Sequence, residues 1–245
     1  MRKFAGAARI ELGTSHTRAI THAGRGLVTR LMGEETMSHR LIGLSGRTTL
    51  LLLAGMSLAH AHHAMDYATP ATLLDGLLSG LGHPVIGIDH LLFIVGAGVL
   101  ASRFARGWLL PLAFVAASIA AVGLRHQGVT GGVSELWVAA SLLVLAAFLF
   151  ATRNPGRALV AGLFLVAGLL HGTALAEAIV GAEPTPLAGY LAGLALVQWA
   201  VALAAWWVAT RLTADRPGGL VQRLAGATIG VAGLAFVALA TVGLA

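Results

Sequence analysis

From residue 85 to residue 245 the sequence falls into six long apolar stretches, at 85–101, 108–124, 136–152, 158–181, 187–209 and 224–245. Each is close to the ~20 residues that a helix needs to cross the hydrocarbon core of a bilayer. The breaks between them carry turn chemistry: Arg125-His126-Gln127-Gly128 with Gly131-Gly132, Asn154-Pro155-Gly156, Glu183-Pro184-Thr185-Pro186, and Arg216-Pro217-Gly218-Gly219. Only 11% of the residues are charged, against about 25% in a typical soluble domain. A soluble globule of this composition would lack the polar surface to cover itself, whereas helices in lipid need an apolar exterior and satisfy their own backbone. The expected fold is therefore all-α: a polytopic membrane bundle with six transmembrane helices.

A net charge of +6 invites a nucleic-acid reading until its distribution is examined. Residues 1–61 hold eight Lys/Arg and three acids, while the remainder holds eight Arg, no Lys and seven acids. The basic excess thus lies ahead of the spans, and no nucleic-acid partner is expected. Residues 48–58, TTLLLLAGMSL, form an apolar run too short to span, preceded by Arg40 and Arg47 and followed by Ala59-His60-Ala61. That is the layout of an export signal. The organisation expected is an N-terminal extension or upstream start at 1–36, a signal peptide at 37–61, an outer segment with His62 and His63 and a short surface or bundle-tucked helix at 62–82, and the six-helix domain at 83–245.

Arginines in the connections set the orientation. Arg103, Arg106, Arg153, Arg157, Arg211, Arg216 and Arg223 fall in alternate connections, and the others hold only Arg125. By the positive-inside rule the arginine-rich connections face the cytoplasm of a bacterial inner membrane, with both mature termini on the outer side. Small-residue pairs at helical contact spacing, Gly76/Gly80, Gly189/Gly193 and Gly226/Gly230, point to close helix packing where lipid supplies no hydrophobic drive. The chain has no P-loop of its own.

Ionisable residues inside spans are costly, which makes them the first functional candidates. Asp89 and His90 lie early in the first stretch, just after His83 and Pro84, and His171 and Glu177 lie late in the fourth. In the topology above all fall in the outer half of the membrane. Pro84 suits a first helical turn, with His83 at or before the cap. On one ideal helix His83 and His90 would stand about two turns apart, so a shared ion requires a fold-back or a second helix. Gly87 permits a close approach or a local break.

Imidazole with carboxylate, in a chain without cysteine, suits Ni²⁺, Co²⁺, Zn²⁺ or Cu²⁺ and not the all-oxygen preference of Ca²⁺ or Mg²⁺. Three other readings compete. Asp89 and His90 could serve only to hydrogen-bond between helices. His90 and His171 could be axial ligands of a membrane haem. An intramembrane hydrolase would use Glu177 as base on a metal-bound water, although the chain lacks H-E-x-x-H.

The stretch at 80–101, GLGHPVIGIDHLLFIVGAGVLA, resembles the H-P-x-x-G-x-D-H signature of the HupE/UreJ family of hydrogenase and urease accessory proteins, matching at His83, Pro84, Gly87, Asp89 and His90. The export signal, the six spans and a His171-Gly172-Thr173-Ala174 segment are similar too, so that the resemblance covers roughly residues 48–245. Many relatives carry a second histidine where this chain has Leu175, and Glu177 is slightly displaced. The resemblance implies a permease for Ni²⁺ or Co²⁺ that serves metalloenzyme assembly, with maturation proteins as further partners. In that reading His83, Asp89 and His90 capture the ion, and His171 and Glu177 receive it.

Overall fold

The computed structural model describes residues 69–129, 135–212 and 218–242. The expected extension at 1–36, the signal peptide at 37–61, and His62 and His63 lie outside the described residues, as do Gly131, Gly132 and Arg216. Among the described residues the elements are helical: α1 (Leu73–Ile86), α2 (Ile88–Ala101), α3 (Pro111–His126), α4 (Glu135–Phe150), α5 (Arg157–Leu175), α6 (Pro184–Leu212) and α7 (Leu220–Thr241), with 3-10 turns at Gly107–Leu109 and Ala176–Ala178.

Four of these helices, α3 with its 3-10 lead-in, α5, α6 and α7, are long and apolar enough to cross a membrane. A fifth span is formed if α1 and α2 count together. The six expected apolar stretches each correspond to a helix, but α4 is 16 residues long, or ~24 Å against a ~30 Å hydrocarbon core. The chain is a multi-pass helical membrane protein, with four or five spans of full length among the described residues.

The first stretch departs most from expectation. Pro84 does not open a helix and His83 is not its cap; both lie in the last turn of α1, and α2 begins only at Ile88. The cause is local. Pro84 has no backbone N–H to offer the carbonyl of Gly80, which weakens the helix two residues before its end. Gly87 then adopts an extended conformation (φ −71°, ψ 100°), and α2 leaves at 79° to α1. At its other end α1 starts sharply: the Asp75 amide donates to Thr72 Oγ1 at 3.1 Å and the Thr72 amide to Asp75 Oδ2 at 2.9 Å, a reciprocal cap of the kind that stabilises a helix by about 1 kcal/mol.

The helix expected near 70–82 is thus α1, and it is tucked into the bundle against α6. The glycine pairs explain how. A Cβ on Gly76 or Gly80 would run into the carbonyl oxygens of Pro186 or Tyr190, and one on Gly189 or Gly193 into those of Leu73 or Leu77. Two glycine stripes therefore face each other, and the backbones touch directly. Elsewhere α3 packs on α5 and α4 on α7, with Gly226 and Gly230 turned toward Leu149, Phe150 and Ala146 of α4.

At one end of the bundle the arginine-bearing connections meet. The Arg103 guanidinium donates to the carbonyls of Leu149 and Ala151 at the end of α4, and Arg157 donates to Ala105 O at 2.7 Å. Gly218, ahead of α7, lies against Ala151 and Thr152. Between this end and the elbow at Gly87 lies an apolar core cluster built on Phe93, Leu100, Phe114, Leu142, Leu145, Leu149 and Phe164.

Candidate metal centre

The elbow positions the first three candidate residues. Because α2 turns away at Gly87, His83 at the end of α1 and His90 in the first turn of α2 are not two turns apart on one rod; their ring centroids are 6.2 Å apart. The fold-back anticipated for His83 is made by a break in the helix rather than by a flexible cap. Asp89 directly precedes His90, and its Oδ1 accepts the backbone N–H of His90 at 2.8 Å. A carboxylate in the first turn of a helix is favourably placed against the unpaired amides there. Gly87 leaves room for the arrangement: a Cβ would lie 2.7 Å from His90 Cδ2 and 3.3 Å from Asp89 Oδ1.

α5 supplies the fourth candidate. Gly168 and Gly172 press against the backbone of α3 at Phe114 and Ser118, which draws α5 inward and buries His171 completely (0% exposed). Its Nδ1 lies 2.8 Å from His90 Nδ1, and its Nε2 lies 2.9 Å from Ser141 Oγ on α4. Both ring nitrogens of a fully buried imidazole are thus satisfied, which avoids the roughly 1–3 kcal/mol cost of an unpaired buried polar group. The ring rests on Phe93 and Phe114, with centroids at 4.8 and 5.5 Å.

The surrounding acceptors assign the ring protons, whose positions depend on the tautomer. Ser141 Oγ donates its single proton to Val138 O at 2.6 Å, so toward His171 it accepts. His171 Nε2 must then carry the ring proton, and in the neutral ring Nδ1 is a bare lone pair. That lone pair accepts from His90 Nδ1–H, so the lone pair of His90 is on Nε2. An imidazole whose other nitrogen is committed to a hydrogen bond is the form that binds transition metals best. His171 therefore orients His90 in this state, and Ser141 orients His171. Ser141 is the residue that sequence reasoning misses.

Two competing chemistries fit this geometry poorly. A first-row metal ligated by both Nδ1 atoms would hold them about 3.3 Å apart at tetrahedral angles and about 4 Å apart as axial ligands. At 2.8 Å they hydrogen-bond instead, with no space for a porphyrin iron between them. Glu177 is exposed, on the 3-10 turn beyond α5, and is not gathered with the histidines. Leu175 is buried with Val122, Ile179, Tyr190 and Leu194 in a separate apolar cluster, where the Tyr190 hydroxyl donates to its carbonyl. Among the described residues no group of three or more His, Cys, Asp or Glu is arranged to hold a metal ion as the side chains stand.

Fold and site together define a multi-pass helical membrane protein with a buried pair of histidines, one of them beside a part-buried carboxylate at a broken helix. The chain belongs to the HupE/UreJ family: the family model, described as HupE / UreJ protein, matches residues 48–236. It is similar to Protein HupE of Rhizobium leguminosarum bv. viciae, 32% identical over 195 residues that cover 77% of this chain and 94% of the relative. No solved structure matches it.

Proposed function

We propose that the chain is a secondary permease for a divalent transition metal, Ni²⁺ or Co²⁺, in the bacterial inner membrane, supplying metalloenzyme assembly such as that of hydrogenase or urease. The observation that carries this reading is the elbow at Gly87, which brings His83, Asp89 and His90 together while the chain His90, His171, Ser141 leaves His90 Nε2 as a lone pair. Borderline divalent ions prefer this mixture of neutral imidazole and one carboxylate. The Asp89 charge offsets part of the cost of dehydrating the ion inside a low-dielectric span.

In this reading the ion arrives from the outer side, the side opposite the arginine-rich connections, and His83 and Asp89 meet it at the elbow. Glu177 on its exposed turn adds attraction at the mouth. Onward passage requires the His90–His171 hydrogen bond to open, so that His171 can receive the ion, and the aromatic floor of Phe93, Phe114 and Phe164 to part. Maturation proteins would take the metal on the cytoplasmic side. The test is reconstitution of the purified chain into proteoliposomes with a trapped metal indicator. Saturable Ni²⁺ or Co²⁺ entry supports the reading; entry no faster than in empty vesicles refutes it.

A further inference from the structure

Gln198 has no role in the mechanism above, yet its environment is unusual. It is the middle residue of the 29-residue α6 and is 0% exposed. Both its Oε1 and its Nε2 are buried without a hydrogen-bond partner among the described residues. A primary amide offers two donors and two acceptor lone pairs, and leaving all of them unpaired in an apolar span costs free energy that leucine at the same position would avoid.

Its place in the fold suggests what repays that cost. One turn before it, the Leu194 amide lies against Gly80 of α1; one turn after it, the Ala202 carbonyl lies against Gly98 of α2. Residues four apart share a helix face, so Gln198 stands on the face that meets this arm, between its two points of contact. The stretch of arm between those contacts is the one that turns at Gly87 and carries His83, Asp89 and His90. Relative to Ala202 opposite Gly98, Gln198 lies one turn back toward the elbow, whereas His90 lies about two turns back from Gly98. The amide is therefore about one turn nearer the arginine-rich end than His90.

We propose that Gln198 is a further ligand on the ion path, its amide oxygen binding the divalent cation as it leaves the elbow. This assignment rests on the permease reading above. A neutral oxygen fits the position: it replaces a lost water of hydration without adding a second negative charge, so the ion is held weakly enough to move on.

The experiment uses the full chain purified in detergent and, in parallel, reconstituted. Thermal unfolding is followed with and without NiCl₂ or CoCl₂, and uptake is measured per folded molecule. Gln198→Leu should be at least as heat-stable as the unmodified chain without metal, because an unpaired amide has been removed. Its metal-induced rise in Tm should shrink, and uptake should fall about tenfold or more, as for loss of a partner at a metal site. Gln198→Asn, which withdraws the oxygen by one methylene, should lose the rise in the same way, and Gln198→Glu should retain it. Gln198→Leu with both the metal-induced rise and the uptake of the unmodified chain overturns the assignment, as does a loss of uptake that merely tracks a loss of folded protein in all three variants. An unmodified chain that shows no metal-induced rise and no uptake overturns the permease reading itself, and the Gln198 assignment with it.

Discussion

His90 and His171, eighty-one residues apart in the chain, meet Nδ1 to Nδ1 at 2.8 Å across two helices. Such a contact admits one proton between two nitrogens, so the pair cannot present both lone pairs to an ion at once. In the proposed permease the pairing would make His90 the outward ligand and His171 its support, and the supporting bond would have to open before His171 took a turn as ligand.

Ser141 should therefore matter although it touches no ion. Ser141→Ala leaves His171 Nε2–H without its acceptor and releases the ring to the other tautomer. Outer-sphere partners of this kind typically change metal affinity by about 10–100-fold. The expected result is a loss of that size in Ni²⁺ or Co²⁺ affinity by calorimetry, with Ser141→Thr near normal because it keeps the hydroxyl. Nitrogen chemical shifts of ¹⁵N-labelled histidine provide an independent readout, since Ser141→Ala should change the tautomer signature of His171 even without metal.

Gly87 and Gly80 should fail in different ways. Gly87 has a conformation that alanine adopts without strain, but its Cβ would lie 2.7 Å from the His90 ring. Gly87→Ala should thus express and fold while losing metal binding. Gly80→Ala instead drives a Cβ into the Tyr190 backbone, where nothing flexible can yield. It should lower the amount of folded protein, with an expected cost of about 1–3 kcal/mol, measurable as a lower unfolding temperature.

The meeting of the 102–110 and 151–156 connections through Arg103 and Arg157 predicts that reporters fused near Arg106 and Asn154 share one side of the membrane, and that a reporter near Glu183 is on the other. If the positive-inside rule holds for this chain, reporters on the first side should report cytoplasm. Arg103→Ala strips the Leu149 and Ala151 carbonyls of their donor and should destabilise the protein by about 1–3 kcal/mol, seen as earlier thermal unfolding with metal binding retained.

Much of this architecture is legible in the sequence because lipid leaves few alternatives. Five of the six apolar stretches coincide with one helix each, the first being split at Gly87, and the pairs Gly76/Gly80 and Gly189/Gly193 turn out to face each other. His83, Asp89, His90 and His171 stand out because ionisable residues are so rare in the spans. The elbow is less legible: Pro84 reads equally well as the start of one helix or the weak last turn of another, and only the packing of α1 on α6 decides. Ser141 gives no signal, since serine is an ordinary small residue in membrane helices, and its role depends on a histidine thirty residues further along the chain. Gln198 did offer one, as an amide in an apolar stretch, but it carries no charge and matches no spacing.

If Asp89 and His90 bind the cargo rather than brace the helices, isosteric substitutions at both should expose it. Asp89→Asn keeps an oxygen to accept the His90 N–H but deletes the charge; His90→Gln keeps a polar side chain but deletes the imidazole. The decisive measurement is Ni²⁺ or Co²⁺ uptake into proteoliposomes per folded molecule for these two variants beside the unmodified chain. A metal site predicts near-normal folded protein with uptake reduced about tenfold or more in each. Full uptake by both variants would contradict it and leave Asp89 and His90 as packing residues.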